Sequence, residues 1–403
     1  MNGKEYSPFT PGSPVPVELF VGRIKQIEQI LKFVKQAASG RQENVFLSGD
    51  RGIGKSSLAS LLKHIVSEKE KNMLALHVFL GRVSNLEGMV QHIFEQLLKE
   101  TKKESWFDNI KNLFGKYIKQ VDIFGISVSF NPPAEDLKEL VRNFPEALYE
   151  VIKKIKDQKK GLFIAMDDIN GLAENKDFAD WYKSFVDETA THYQKFPVFI
   201  MLIGLPEKRD KLAKLQPSLM RIFRPIEIEK LNDDEVKEFF IKAFNKAGMK
   251  VEEEALRPMV RYSSGLPLLM HEIGDATFWI DKDNIIDRRD AITGIFLAAE
   301  NVGRKYLDPK VYRAIRSERY KSILQKLGEA PTPIERNFTV SSISKKLSEE
   351  EKRVFHNFIK RMKKLGVIEN DPEGGRGSYR FVNEIYPVYI WMVSQRTRGS
   401  KKK

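Results

Sequence analysis

Ser48-Gly-Asp-Arg-Gly-Ile-Gly-Lys-Ser-Ser57 is the stretch that decides the fold. Gly49 is followed by four variable positions and then by Gly54-Lys55-Ser56, which is the spacing of a phosphate-binding P-loop. Its glycines let successive backbone N–H groups point at phosphate oxygens, and the next helix adds the positive end of its dipole. We expect Lys55 to reach the β- and γ-phosphates, and the Ser56 hydroxyl to complete the shell of a Mg²⁺ ion. The loop residues expected around the phosphates are Gly49, Asp50, Arg51, Gly52, Ile53, Gly54, Lys55, Ser56 and Ser57.

The residues on either side of this loop predict an α/β fold. Asn44-Val-Phe-Leu-Ser48 is a short apolar run typical of a buried strand, and Leu58, Leu61 and Leu62 keep helical spacing. A strand, a glycine-rich turn and a helix in this order are the context that a genuine P-loop requires. The sequence therefore predicts a P-loop NTPase fold, with a parallel sheet flanked by helices.

A second motif, Gly161-Leu-Phe-Ile-Ala-Met-Asp-Asp-Ile-Asn170, ends an apolar strand with two carboxylates. Open α/β sheets bind ligands at the carboxyl ends of their strands. This motif follows Walker B logic, in which Asp167 orients Mg²⁺ through its water shell and Asp168 polarises the attacking water. Two adjacent acids after a strand could instead cap the following helix. Paired with the P-loop, they predict the metal and water half of one nucleotide site.

Length and composition limit the number of domains and the kinds of chemistry that the chain can carry. A chain of 403 residues with 41% hydrophobic content predicts two or three domains with real cores. The chain has no cysteine, which excludes disulfides, thiolate metal sites and a cysteine nucleophile. There is no signal-like apolar core at the beginning and no run of membrane-spanning length. We expect a soluble cytoplasmic protein that has no membrane partner.

The net charge of +13 is confined to one part of the chain. Residues 1–300 carry 44 basic and 44 acidic side chains, whereas residues 301–403 carry 24 basic and 11 acidic ones. Such asymmetry favours a basic region that meets a polyanion, most simply nucleic acid. The alternative is a solubilising surface with a lysine tail.

The basic part has the pattern of a winged helix. Helices are predicted over Arg313–Leu327 and Val340–Leu347, and a third begins at Ser348 with a capping box; two short strands around a glycine-rich loop follow. Phosphate contacts of duplex DNA are expected from Arg353, Lys360, Lys363, Lys364 and Arg376. The alternative is a module that contacts protein or inhibits its own chain.

Phe20-Val-Gly-Arg23, ahead of the P-loop, resembles the entry box of AAA+ and STAND ATPases, in particular archaeal-type ATPases and origin-recognition initiators. The resemblance implies that Phe20, Val21 and Arg23 contact the adenine of ATP. Phe20 and Val21 could equally be ordinary core residues. Gly265-Leu-Pro267 is similar to the lid motif of these ATPases, where Pro267 would lie beside the adenine.

Two further segments bear on hydrolysis. Ser218–Lys230 resembles the segment in which related ATPases carry an arginine that reaches a neighbouring subunit's γ-phosphate. Arg221 and Arg224 are the candidates, although either could be a surface ion-pair residue. In AAA+ proteins the strand after Walker B ends in a polar sensor, but here its tip is Ile203-Gly204-Leu205. That departure predicts slow hydrolysis.

The remaining segments complete the layout. Residues 1–19 are expected to lie extended across a surface, and 101–133 to form an insertion. In this insertion a helix with Trp106, Ile110, Phe114 and Ile118 precedes a β-hairpin turning near Gly125. A further helix is predicted over Pro133–Gln158. The expected domains are 1–230 (P-loop ATPase), 231–302 (all-α lid), 303–395 (winged helix) and 396–403 (basic tail).

Together these observations predict an ATPase that binds ATP, ADP and Mg²⁺ and hydrolyses slowly. It would act as a nucleotide-controlled switch on double-stranded DNA, with a homo-oligomer or a protein partner also expected. The alternative is an ATP-dependent regulatory switch whose winged helix binds protein rather than DNA.

Overall fold

The protein is described from a computed structural model that covers residues 4–70, 73–102, 104–121, 128–329, 332 and 335–401. The chain divides into two compact units. The sheet unit comprises Pro16–Glu229, and the helical unit comprises the residues up to Val15 together with those from Lys230 onward. The chain therefore crosses between the units twice.

The sheet unit alternates strands and helices. Its elements are α1 (Ile24–Ala38), β1 (Glu43–Ser48), α2 (Lys55–His64), β2 (Leu74–Phe79), α3 (Leu86–Thr101), α4 (Phe107–Phe114), β3 (Ile118–Val121), β4 (Val128–Phe130), α5 (Ala134–Arg142), α6 (Phe144–Ile155), β5 (Leu162–Asp167), α7 (Lys176–His192), β6 (Val198–Gly204), α8 (Pro206–Leu215), α9 (Leu219–Ile222) and β7 (Arg224–Glu227).

Five of these strands form one parallel sheet in the order β2-β5-β6-β1-β7. The central strands are buried along their whole length because helices cover both faces of the sheet. The parallel register sets Ser48, the last residue of β1, beside Gly204 of β6, and sets Asp167 of β5 beside Ile203. The P-loop and the paired carboxylates therefore leave the same edge of the sheet, and the predicted fold class is confirmed.

Two predictions in the insertion and after it need correction. The helix expected over 133–158 is two helices, which break at Asn143 because Pro145 has no N–H and its ring would clash with the preceding turn. Ile118 lies not in a helix but in β3, while Ile110 and Phe114 do lie in α4. β3 and β4 pair antiparallel as the two arms of the predicted hairpin; its turn near Gly125 lies outside the described residues.

The helical unit contains, from Lys230 onward, α10 (Asp233–Lys246), β8 (Lys250–Val251), α11 (Glu253–Ser263), α12 (Pro267–Ile280), β9 (Ile285–Ile286), α13 (Arg288–Val302), a π-helix (Gly303–Tyr312), α14 (Glu318–Leu327), β10 (Asn337–Thr339), α15 (Val340–Ser344), α16 (Glu349–Lys364), β11 (Ile368–Asn370), β12 (Ser378–Phe381) and α17 (Ile385–Lys401).

The described residues before Val17 form no helix or strand, as expected of an extended segment, and those up to Val15 are anchored in this unit through Phe9. Phe9 is buried, and its ring packs against Phe239 and Phe244 of α10. The backbone N–H of Thr10 donates to His271 Nδ1 at 2.9 Å. Gly274 leaves room for the Phe9 ring, since a Cβ there would lie 2.2 Å from it.

The order α14, β10, α15, α16, β11, β12 is that of a winged helix, and the three strands form a sheet in the order β10-β12-β11. Ser348 and Glu351 form the predicted capping box at the start of α16. Gly366, with φ of 66°, ends that helix. The first helix is shorter than predicted, because Ser317 caps it by accepting from the N–H of Tyr320 and it begins at Glu318.

Candidate nucleotide-binding site

The P-loop has the backbone that its glycines predict. Gly52 and Gly54 have φ values of 74° and 95°, which side chains disfavour. Gly49 sits against the carbonyl of Ile228, where a Cβ would come within 2.8 Å. Gly54 is the N-cap of α2 and provides no side-chain cap for the first backbone N–H groups of that helix. The result is an anion-binding loop at the N-terminus of a helix.

Lys55 lies folded over the loop. Its Nζ donates to the carbonyl of Gly49 at 2.6 Å and to that of Asp50 at 2.8 Å. Burial lowers the pKa of Lys55, while the charges of Asp167, Asp50 and Asp168 partly offset that effect. An ammonium that is held by carbonyls and faces carboxylates is placed to exchange these partners for phosphate oxygens.

Asp167 is buried and has a partner that sequence reasoning missed. His77 in β2 lies beside it across the β2–β5 pair, with Nε2 at 3.0 Å from Asp167 Oδ2. A carboxylate accepts, so the imidazole N–H donates from Nε2 and leaves Nδ1 to accept from the Ser60 hydroxyl at 3.3 Å. Ser60 is on α2, the helix that begins with the P-loop lysine. The imidazole therefore links the P-loop helix to the strand that carries Asp167.

Asp168 is exposed and has a φ of 58°, a left-handed conformation that Asp tolerates better than most residues. Asn170 Nδ2 donates to Asp168 Oδ1, and Asn170 Oδ1 accepts from the backbone N–H of Leu205 at 3.3 Å. Leu205 directly follows β6. The tip of β6 has no polar side chain of its own, but the side-chain amide of Asn170 lies next to it. The sequence reasoning did not identify Asn170.

The oxygen atoms at this edge suit Mg²⁺. Ser56 is half-buried at the start of α2, and Asp167 offers a second hard oxygen donor. Among the described residues, no cluster of three or more His, Asp or Glu side chains could hold a metal alone. Mg²⁺ characteristically takes only one or two protein ligands and completes its shell with phosphates and water, so this donor set fits.

The entry box is built into the P-loop. Val21 and Arg23 are buried, and Phe20 is half-buried. The guanidinium of Arg23 donates to the carbonyl of Ile53 at 2.7 Å and to that of Glu229 at 2.8 Å. Arg23 therefore braces the loop against the end of the sheet unit.

The two candidate arginines differ. Arg224, at the start of β7, pairs with the buried Glu43 at 2.7 Å and lies over the Phe33 ring. Arg221, on α9, is exposed. Pro267 is the first residue of α12 in the helical unit.

The five predicted DNA contacts are all exposed residues of the winged helix. Arg353, Lys360, Lys363 and Lys364 are on α16, and Arg376 is in the loop between β11 and β12. Lys363 Nζ donates to Asn370 Oδ1 at 2.9 Å, so this side chain turns toward β11.

These features define a P-loop nucleotide-binding protein. Residues 19–182, which contain the P-loop, His77 and both carboxylates, match the AAA ATPase domain family. No described helix is long and apolar enough to cross a membrane.

Solved structures share the fold at low identity. The Walker-type ATPase PABY2304 of Pyrococcus abyssi superposes with a TM-score of 0.55 at 14% identity, over 92% of this chain and 96% of that one. The ORC2 protein of Aeropyrum pernix, in ADPNP–ADP complexes, gives 0.58 at 11% identity, over 99% and 97%. The resemblance to archaeal-type ATPases and origin-recognition proteins is thus confirmed at the level of the fold.

One curated relative is an uncharacterized HTH-type transcriptional regulator, MJ0774 of Methanocaldococcus jannaschii. It is 21% identical over 283 residues, a match covering 65% of this chain. The chain spans 64% of the length of that relative.

Proposed function

We propose that this protein is a Mg²⁺-dependent, slowly hydrolysing ATPase that acts as a nucleotide-controlled switch on double-stranded DNA. The observation that carries the nucleotide half is the convergence of Lys55 with Asp167 and Asp168 at one edge of a parallel sheet. In this arrangement Lys55 neutralises the β- and γ-phosphates, and Ser56 and Asp167 hold the metal ion. Bound there, Mg²⁺ would neutralise charge on the phosphates.

Slow turnover is supported by what surrounds Asp168. A general base must accept a proton from water, and Asp168 is exposed at the sheet edge with Asn170 fixing one of its oxygens. No described side chain of β6 or of Leu205 adds a polar sensor there. Arg221 is the better candidate for reaching a neighbouring subunit, because Arg224 is already engaged with Glu43.

The DNA half is supported by charge and topology. The excess of basic residues lies within 301–403, the part of the chain that contains the winged helix. The relative MJ0774 is named as an HTH-type transcriptional regulator. In this proposal residues 1–230 bind ATP, and residues 231–302 act as the lid, with Pro267 beside the adenine. Residues 303–395 engage DNA in the cytoplasm.

The test is salt-dependent binding of the full chain to a duplex of arbitrary sequence, with ATP, with ADP and without nucleotide. Phosphate neutralisation must give an affinity that falls steeply with salt, and a switch must give different affinities for the nucleotide states. The absence of salt-sensitive binding in every state would contradict the proposal.

A protein partner is the second candidate. The first turn of α16 carries Glu349, Glu350 and Glu351. Their negative charge would repel DNA phosphates at this end of the helix, which favours a protein partner. If the partner is a protein, the chain would bind it and would show no salt-sensitive affinity for duplex DNA.

A further inference from the structure

The winged helix contains a groove of about 410 Å³ between the second half of α16 and the turn that precedes α14. Four cationic side chains line it: Arg316 from the turn, and Lys360, Arg361 and Lys364 from α16. Tyr320 and the helix-capping Ser317 form part of its wall. Of the described residues that line this groove, none is acidic.

Helical spacing places the three cations of α16 on one face of that helix. Lys360 and the adjacent Arg361 each lie about one turn before Lys364 on α16, while Phe358 and Met362 are buried on its opposite side. All three cations are exposed, as is Arg316. Within the described part of the chain, none of these four side chains has an ion-pair or hydrogen-bond partner. Their charges are therefore available to an external anion.

Cations in the last turn of a helix also stabilise its dipole, which would be an ordinary reason for finding them on α16. That reason does not extend to Arg316, which comes from a different element and completes the groove. Two elements supplying charge to one concave surface indicate a ligand with several negative charges in a row.

Two other parts of the winged helix are less suited to phosphate. The first turn of α16 is acidic, with Glu351 bonded to Lys326. The loop between β11 and β12 carries Asp371 and Glu373 as well as Arg376, and the backbone N–H of Glu373 donates to Asp371 Oδ1. In contrast to these two faces, the groove at the C-terminal half of α16 has no acidic side chain among the described residues that line it.

We infer that this groove binds the phosphodiester backbone of duplex DNA, with Arg316, Lys360, Arg361 and Lys364 as its phosphate contacts. The inference rests on the proposed DNA-binding function and places the contact away from the loop between β11 and β12. Arg316 and Arg361 join Lys360 and Lys364 as contacts, whereas Lys363 and Arg376 contribute little.

The test uses the full chain and a fluorescently labelled duplex of arbitrary sequence, with Kd measured across a salt series. Each lost phosphate contact reduces the slope of log Kd against log salt by about 0.9. Arg316→Gln and Lys364→Gln should each lose about 0.9, and the double variant about 1.8. Lys363→Gln removes the same charge from the neighbouring position of the same helix and should leave the slope unchanged, as should Arg376→Gln.

The groove would be excluded as the phosphate contact if Lys363→Gln and Lys364→Gln reduced the salt slope equally, or if Arg316→Gln left it unchanged. Neither result would contradict the proposed DNA binding itself. A wild-type chain without salt-sensitive DNA binding would overturn both the groove and the proposed function. All four positions are exposed, and unchanged thermal melting of each variant shows that a lost slope does not reflect lost folding.

Discussion

His77 Nε2 lies 3.0 Å from Asp167 Oδ2, and this contact joins two buried side chains on neighbouring strands. The imidazole also reaches Ser60 on the P-loop helix. The carboxylate proposed to orient the metal ion is thus held by a residue that belongs to neither nucleotide motif. Partners of this kind fix the orientation of a ligand before the metal arrives.

Replacing His77 should disturb the metal half of the site. His77→Leu is expected to lower turnover or apparent Mg²⁺ affinity by about 10- to 100-fold, because Asp167 loses the donor that orients it. His77→Gln, whose amide can still donate to Asp167, should recover much of the loss. ATPase rates over a Mg²⁺ titration measure this. Equal defects in both variants would show that His77 only fills space.

Asp168 and Asn170 should act as one unit. Asp168→Asn is expected to lower kcat by about a hundredfold or more, since it removes the proposed base. Asn170→Ala should lower kcat by roughly tenfold with little change in KM, because it frees the carboxylate that it orients. In the double variant the Asn170 effect should disappear. Additive losses would show that Asn170 works independently, and unchanged turnover in Asp168→Asn would exclude Asp168 as the base.

Arg23 should support both stability and nucleotide binding. Arg23→Ala leaves the carbonyls of Ile53 and Glu229 without their shared donor, which is expected to cost about 1–3 kcal/mol of unfolding free energy. Nucleotide affinity should fall as well, because Ile53 belongs to the P-loop. Chemical denaturation and ATP titration measure the two effects. A change in affinity with no change in stability would favour direct contact with the base.

His271 predicts a loss of stability in acid. Burial lowers the pKa of His271 to about 4, and its Nδ1 already accepts from the Thr10 N–H. The unfolded chain, with a pKa near its ordinary value of 6.5, binds the proton more readily. Stability is therefore complete above pH 6.5 and falls as the pH drops toward 4.

Between pH 7 and pH 5 this difference amounts to about 2 kcal/mol of unfolding free energy. Denaturant unfolding of the wild type and of His271→Gln at both values isolates the contribution of the imidazole. A wild type and a variant that lose equal stability would show that His271 titrates as freely when folded as when unfolded.

The nucleotide motifs were predictable because their chemistry is local. The P-loop needs glycines and a lysine at fixed spacing, and the carboxylates must follow a strand, so one sequence window contains each half. The capping box of α16 is local in the same way. The break at Asn143 was also open to prediction, since Pro145 is visible in the sequence.

The supporting residues were not predictable, because the fold brings them together across long separations. From the sequence alone, a single histidine in an apolar strand is predicted to be a core residue. Only the pairing of β2 with β5 brings His77 to Asp167. Arg316 joins Lys364 through the packing of α14 on α16. Phe9 appeared to belong to an extended segment, yet it is buried against helices more than two hundred residues later in the chain.

The most direct test of the account is the ATP affinity of Lys55→Ala, measured by titration calorimetry in the presence of Mg²⁺. Lys63→Ala is the matched control, because Lys63 lies on the same helix but pairs with Glu100. Loss of a charged donor to two phosphates should weaken binding by at least about a hundredfold, whereas Lys63→Ala should bind as the wild type does. Wild-type affinity in Lys55→Ala would contradict the assignment of the P-loop as the ATP site.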